Sequence, residues 1–163
     1  MPRVVLVHPE IPPNTGNVAR TCAATGTELH LVEPLGFEIS DRQLRRAGLD
    51  YWPLVDLHRH RSLESFLNVR RSLGGRLVAL SARARQDYTE FRFQPHDWLL
   101  FGCESVGLPE ALQEQADACL TIPMRLSSTP EGVSVRSLNL SVSVGVVLFE
   151  TLRQAKGPAP QGV

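Results

Sequence analysis

Two arginines stand where a side chain could act on a bound molecule. Arg136 follows a polar loop rich in Ser, Thr, Pro and Gly and begins a long run of apolar and small residues. Arg20 lies beyond the first predicted strand, at the edge where open α/β sheets bind their ligands. Functional side chains often reside in loops held by a rigid scaffold, and the planar guanidinium suits phosphate recognition. Both arginines are therefore candidates for substrate binding.

Three irregular segments follow predicted strands and are punctuated by glycine or proline. They are Leu80-Ser81, Gly102 to Gly107, and Ile122 to Met124. Because carboxyl ends of parallel strands share one edge of a sheet, we expect these segments to line one cleft. The second segment lacks the Lys-Ser/Thr pair of a Walker A loop, since Leu108-Pro109 follows it. A cleft lined by backbone groups suits a nucleoside-like ligand, although plain structural turns explain the same residues equally well.

The segment that carries Arg20 predicts a helix from Asn14 to Gly26. Asn14 is a typical N-cap residue and Gly26 a typical helix stop, so capping alone accounts for Asn14. Asn17 and Arg20 are three residues apart and therefore share a face of this helix.

The remaining pattern alternates strands with helices. Apolar, β-branched runs predict strands at 3–8, 28–33, 51–57, 76–80, 97–101 and 119–122. Helical patterns cover 40–48, 62–73 and 109–116. This alternation predicts an α/β fold with a mostly parallel sheet flanked by helices.

The segment after Arg136 supports two interpretations. Leu138, Leu140, Val142 and Val144 alternate with small or polar residues, and this period of two favours a strand. The same residues also give a helix that is apolar on most sides, which is typical of a buried helix. On propensity alone we favour the strand.

Length and composition indicate one globular domain over residues 1–155 with a flexible tail at 156–163. No apolar run is long enough to cross a membrane, and the amino terminus lacks the pattern of a signal peptide. The three cysteines have neither disulfide nor metal spacing, which predicts a reducing, cytoplasmic setting.

Charge is concentrated in the middle of a chain whose formal net charge is zero. Residues 40–85 contain 10 Arg and 4 acidic residues, a net charge of +6 that includes Arg45 and Arg46. Arginine suits phosphate recognition, although a GC-rich genome would give the same bias. Within this region, His58-Arg59-His60-Arg61 indicates a solvated basic patch, whose natural partner is RNA phosphates. His58 and His60 have the alternate spacing of some metal ligands, but no third ligand has fitting spacing, so we expect no metal.

Three sequence blocks together are more specific than any one of them. They are NxGNxxR at 14–20, LLFGxExxGLP at 99–109, and IPM…RSLNLSxSV at 122–144. In this order they resemble the SPOUT superfamily of RNA methyltransferases. PEIPPNTGNVAR and LRRAGLDYW are similar to the TrmL group within it, small tRNA wobble-ribose 2′-O-methyltransferases. The resemblance covers residues 3–153.

The resemblance implies a fold and a cofactor that composition does not suggest. The fold would be an α/β sheet with a C-terminal deep trefoil knot, and the segment after Arg136 would be a helix. The cofactor would be S-adenosylmethionine, held mainly by backbone groups. The matching positions are Leu80, Gly102, Glu104, Gly107, Ile122, Met124, Ser137 and Leu138.

The resemblance also implies a homodimer acting on the anticodon stem-loop of tRNA at C34 or U34. Arg136 would be the principal catalytic residue, and Arg20 would bind substrate phosphate or assist it, from either subunit. The implied RNA-binding residues are Asn14, Asn17, Arg45, Arg46 and Asn139. Two alternatives stay open: ribose methylation at another tRNA position or on ribosomal RNA, and a non-catalytic RNA-binding protein of the same fold.

Overall fold

The computed structural model describes residues 1–39, 51–124 and 135–155. The predicted helix at 40–48, with Arg45 and Arg46, and the predicted tail lie outside the described residues. Seven strands are described: β1 (Arg3–Val7), β2 (Glu28–Val32), β3 (Leu57–His60), β4 (Leu77–Leu80), β5 (Gln86–Asp87), β6 (Trp98–Phe101) and β7 (Ala118–Thr121). The described α-helices are α1 (Pro12–Thr25), α2 (Leu63–Leu73), α3 (Glu110–Gln115) and α4 (Leu140–Ala155).

The strands form one sheet in the order β3-β2-β1-β6-β4-β7-β5. Every pairing between the described strands is parallel, which confirms the predicted α/β class. The strand order reverses at β1: β2 and β3 follow on one side of it, and β6, β4, β7 and β5 follow on the other side. Such a reversal opens a crevice at the carboxyl ends of the strands, where α/β proteins place their ligands.

Each face of the sheet is buried under helices, because successive strand residues point to opposite faces. The face covered by α1 and α4 has a core that includes Leu6, Val18, Leu99, Val144 and Leu148. The opposite face has a core that includes Val5, Phe66, Trp98, Leu100 and Leu112. Two apolar faces explain why the central strands β1, β4 and β6 are nearly continuous apolar runs.

The segment after Arg136 is the helix α4, so the strand favoured by its alternation is wrong and the helix implied by the resemblance is confirmed. Val144, Val147 and Leu148 are fully buried at helical spacing against the sheet. Packing therefore outweighs the weak helix propensity of this β-branched stretch.

Two other local predictions are wrong. Helix α1 begins at Pro12 with Ile11 as its N-cap, so Asn14 lies inside the first turn and does not cap it. Proline tolerates the first turn of a helix, where its missing N–H would be unpaired anyway. The strand predicted at 51–57 is replaced by a 3₁₀ turn at Trp52–Leu54, and β3 begins only at Leu57. The end of α1 at Gly26, with φ 64°, is confirmed.

None of the described helices is long and apolar enough to cross a membrane.

Candidate active site

One hollow of about 940 Å³ lies at the carboxyl edge of the sheet. The segments that follow β4, β6 and β7 all line it, as does the segment that enters α4. The hollow brings together the following predicted site residues: Asn14, Leu80, Gly102, Glu104, Gly107, Ile122, Met124, Arg136, Ser137, Leu138 and Asn139.

The loop after β6 forms the tightest part of the wall. A Cβ atom on Gly102 would lie 2.0 Å from the carbonyl carbon of Gly107, so no other residue fits there without displacing backbone. Gly107 has φ 76°, a left-handed conformation, and its N–H donates to the Cys103 carbonyl at 3.0 Å. The two glycines thus close the loop on itself and present its backbone to the hollow.

The carboxylate of Glu104 closes the amino-terminal end of helix α1. It accepts hydrogen bonds from the backbone N–H groups of Glu10 at 2.8 Å and Ile11 at 3.2 Å. It also accepts one from the side-chain amide of Asn14 at 3.2 Å. A negative charge at a helix amino terminus is stabilised by the unpaired N–H groups and the helix dipole. Through these hydrogen bonds Glu104 links the loop after β6 to the amino-terminal end of α1.

Asn139 joins the same network from the other side. Its side-chain amide donates to the Asn14 side-chain oxygen at 2.9 Å, and its own oxygen accepts from the Ser141 N–H at 2.9 Å. The second contact is an N-cap of α4, for which asparagine is a preferred residue. The structure therefore accounts for Asn14 and Asn139 by contacts within the protein.

The two candidate catalytic arginines occupy different places. Arg136 is exposed at the wall of the hollow, three residues before the α4 cap. Arg20 lies outside the hollow on the exposed side of α1, with its guanidinium 4.7 Å from the centre of the Tyr51 ring. Asn17 is likewise exposed on α1 and outside the hollow. Within one protomer the structure does not bring Arg20 to Arg136.

His8 lines the hollow and was missed by sequence reasoning. It follows β1 with φ 55°, a left-handed conformation that is uncommon for a residue other than glycine. Its Nδ1 atom is buried, and no described group lies within hydrogen-bonding distance of it. The available signal was its position directly after a buried strand, at the edge where α/β sheets bind ligands.

The parallel sheet and the hollow at the carboxyl ends of its strands are typical of an α/β protein that binds a ligand at that edge. Residues 1–149 match the SpoU rRNA Methylase family, and the chain belongs to that family.

Individual relatives are similar to this chain over almost their full length. The tRNA (cytidine(34)-2′-O)-methyltransferase of Beijerinckia indica subsp. indica is 46% identical over 151 residues, 93% of this chain and 90% of the relative. A solved structure concerned with the 2-OH methylation of C/U34 on tRNA has a TM-score of 0.88 and 51% identity, covering 97% of this chain and 98% of that one.

A third similarity includes a bound cofactor. The SpoU methyltransferase AviRb from Streptomyces viridochromogenes, in complex with AdoMet, has a TM-score of 0.78 and 25% identity. The match covers 96% of this chain and 58% of AviRb.

Proposed function

We propose that the protein is a tRNA (cytidine/uridine-34-2′-O)-methyltransferase that uses S-adenosylmethionine to methylate the ribose of the wobble nucleotide. The main observation in support is that one hollow is lined by all three strand-end segments and by Arg136. Family membership and the activity named for close relatives over almost their full length support the same conclusion.

The described residues fit the proposed cofactor. The hollow is large enough for a nucleoside-sized ligand, and Gly102 leaves backbone where a side chain would fill the space. Leu80, Ile122 and Leu138 add apolar surface for an adenine ring, and the loop from Gly102 to Gly107 adds backbone groups. We propose that these three apolar residues and this loop bind the cofactor, together with Met124 and Ser137. Glu104 would contribute by holding the loop against α1.

The proposed reaction asks for alignment more than for covalent catalysis. S-adenosylmethionine supplies an electrophilic methyl group on a sulfonium sulfur. The ribose 2′-hydroxyl is a weak nucleophile, so it must be held in line with that methyl group while its proton is lost. Arg136 stands at the wall of the hollow, but a guanidinium rarely gives up a proton. We therefore assign Arg136 to orienting the substrate through a phosphate.

A homodimer completes the proposal. The outer face of α4 exposes Val142 and Phe149, with exposed fractions of 49% and 59%, and such an apolar face is typical of an interface. Arg20 lies on the exposed side of α1 and does not line the hollow of its own protomer. We therefore propose that it binds a substrate phosphate at the partner's site. Asn17, Arg45 and Arg46 are assigned to RNA contact, and Asn14 and Asn139 to holding the site together.

Two further features belong to the proposal. We propose that the fold includes the C-terminal deep trefoil knot typical of the SPOUT superfamily. Residues 1–155 act as one catalytic domain in the cytoplasm.

Replacing Arg136 tests the proposal. We expect Arg136→Ala to abolish methyl transfer from labelled S-adenosylmethionine to bulk tRNA while cofactor affinity, measured calorimetrically, stays within about twofold. Arg153→Ala is the matched control, since Arg153 is exposed on α4 and pairs with Glu150. Mapping the label to the 2′-oxygen of nucleotide 34 is the expected result. Label at another nucleotide, or full activity in Arg136→Ala, would overturn the assignment.

A further inference from the structure

His8 differs from the histidines of strands β2 and β3 because its ring has no partner. His30 Nδ1 lies 2.9 Å from His60 Nε2, and His58 Nε2 lies 3.0 Å from Asp56 Oδ1. His60 is buried, which corrects the expectation that it belongs to a solvated patch. These contacts account for the strand histidines within the fold. By contrast, the Nδ1 atom of His8 is buried, and no described group lies within hydrogen-bonding distance of it.

The unpartnered nitrogen indicates how the His8 ring presents its proton. A neutral imidazole carries one N–H, and its other nitrogen is an acceptor. In folded proteins a buried N–H without an acceptor is rarer than a buried acceptor without a donor. We therefore place the proton on Nε2, which, unlike Nδ1, is not a buried atom without a partner. Because His8 lines the hollow, this Nε2–H is a hydrogen-bond donor available to a molecule bound there.

Contacts on both sides hold the backbone of His8 in its left-handed conformation, with φ 55°. The N–H of His8 donates to the Val32 carbonyl at 3.0 Å, and the next carbonyl, that of Pro9, accepts from the Gly36 N–H at 2.9 Å. A strained residue persists only where its surroundings fix it, and such residues cluster at functional sites. These hydrogen bonds keep the His8 imidazole at the edge of the hollow.

His8 lies to one side of the segments proposed for the cofactor. Those segments follow β4, β6 and β7, and β6 stands between β1 and β4 in the sheet. Leu6 is in register with Phe101, so His8, two residues further along, is level with the loop after β6. The proposed reaction requires a ribose beside the methyl group of the cofactor. The end of the hollow next to β1 is the part that the proposed cofactor segments leave for that nucleotide.

We propose that His8 is a substrate-binding residue whose Nε2–H donates to an oxygen of the pyrimidine nucleotide that receives the methyl group. This inference rests on the proposed function. Cytidine and uridine share the O2 carbonyl and the ribose oxygens, so one donor serves both nucleotides. The contact orients the ribose and does not take its proton, because Nε2 of this tautomer already carries one.

Two substitutions of similar size test this contact in the full chain. His8→Leu removes the donor, whereas His8→Gln keeps an N–H at a similar reach and has no titratable group. We expect His8→Leu to lower kcat/KM for tRNA by about three- to tenfold, the usual effect of one lost hydrogen bond. The calorimetric Kd for S-adenosylmethionine should stay within about twofold of the parent value. His8→Gln should recover most of the activity toward tRNA.

A third variant separates substrate binding from a purely structural role. Glycine adopts φ 55° without steric cost, so His8→Gly should have a urea midpoint no lower than that of His8→Leu and should still lose activity toward tRNA. Parental kcat/KM for tRNA in His8→Leu and His8→Gly, or no recovery in His8→Gln, would overturn the inference. So would a loss confined to S-adenosylmethionine affinity. A parent chain that transfers no methyl group to tRNA would instead refute the proposed function itself.

Discussion

The side-chain amide of Asn139 donates to the side-chain oxygen of Asn14 at 2.9 Å, across 125 residues of sequence. Asn14 in turn donates to Glu104, so one chain of hydrogen bonds joins the start of α1, the loop after β6 and the cap of α4. Each of the three sequence blocks contributes one of these residues. The network thereby fixes the distance between the loop that lines the hollow and the segment that carries Arg136.

Removing Asn14 should loosen this junction. Asn14→Ala leaves the Asn139 amide without its acceptor and Glu104 with two donors where it had three. Because Asn14 is buried, we expect a loss of about 1–3 kcal/mol in the free energy of unfolding, measured by urea denaturation, and weaker cofactor binding. Asn17→Ala, on the exposed face of the same helix, is the control and should change stability by less than about 0.5 kcal/mol. Equal effects of both substitutions would contradict the network.

Replacing glycine by alanine should weaken cofactor binding at position 102 and stabilise the fold at position 145. Gly102→Ala places a methyl group 2.0 Å from the backbone of Gly107, so the loop must move and cofactor affinity should fall at least tenfold. Gly145→Ala lies in the interior of α4, where a Cβ meets no atom of its own protomer within 4 Å. It should raise the free energy of unfolding by about 0.5–1 kcal/mol, because alanine has less backbone entropy to lose in a helix. Calorimetric titration and urea denaturation of both variants check this pair, and unchanged cofactor affinity in Gly102→Ala would contradict the role of the loop.

Sequence reasoning predicted the buried strands well, missed β3 and the two-residue β5, and predicted the contacts of the site poorly, for identifiable reasons. Buried strands such as Trp98–Phe101 are continuous apolar runs bounded by turn residues, so local pattern suffices for them. Helix α4 alternates apolar with small residues, and only its packing against the sheet distinguishes it from a strand. Asn14 looked like a cap because its actual partners, Glu104 and Asn139, are distant in sequence.

Burial of Cys22 should make the protein less stable in alkali. Burial raises the pKa of its thiol to about 12, from an ordinary value of 9.0. Between these values the unfolded chain loses the thiol proton and the folded chain keeps it, so stability falls as pH rises, by about 1.4 kcal/mol per pH unit. Urea denaturation at pH 8 and pH 10 should show a shallower decline for Cys22→Ala than for the parent. Parallel declines, or rapid modification of Cys22 by a thiol reagent in the native protein at pH 8, would contradict this prediction.

Mixed dimers should reveal whether Arg20 acts across the proposed subunit interface. Arg20→Ala and Arg136→Ala should each be inactive alone. If a site combines Arg136 of one protomer with Arg20 of its partner, each mixed dimer contains one site with both arginines intact. Refolding the two variants together in equal amounts should then restore about a quarter of parental activity, because half of the dimers are mixed and half of their sites are complete. If both arginines of a site came from one protomer, every site would lack one of them, and the mixture would be as inactive as its components.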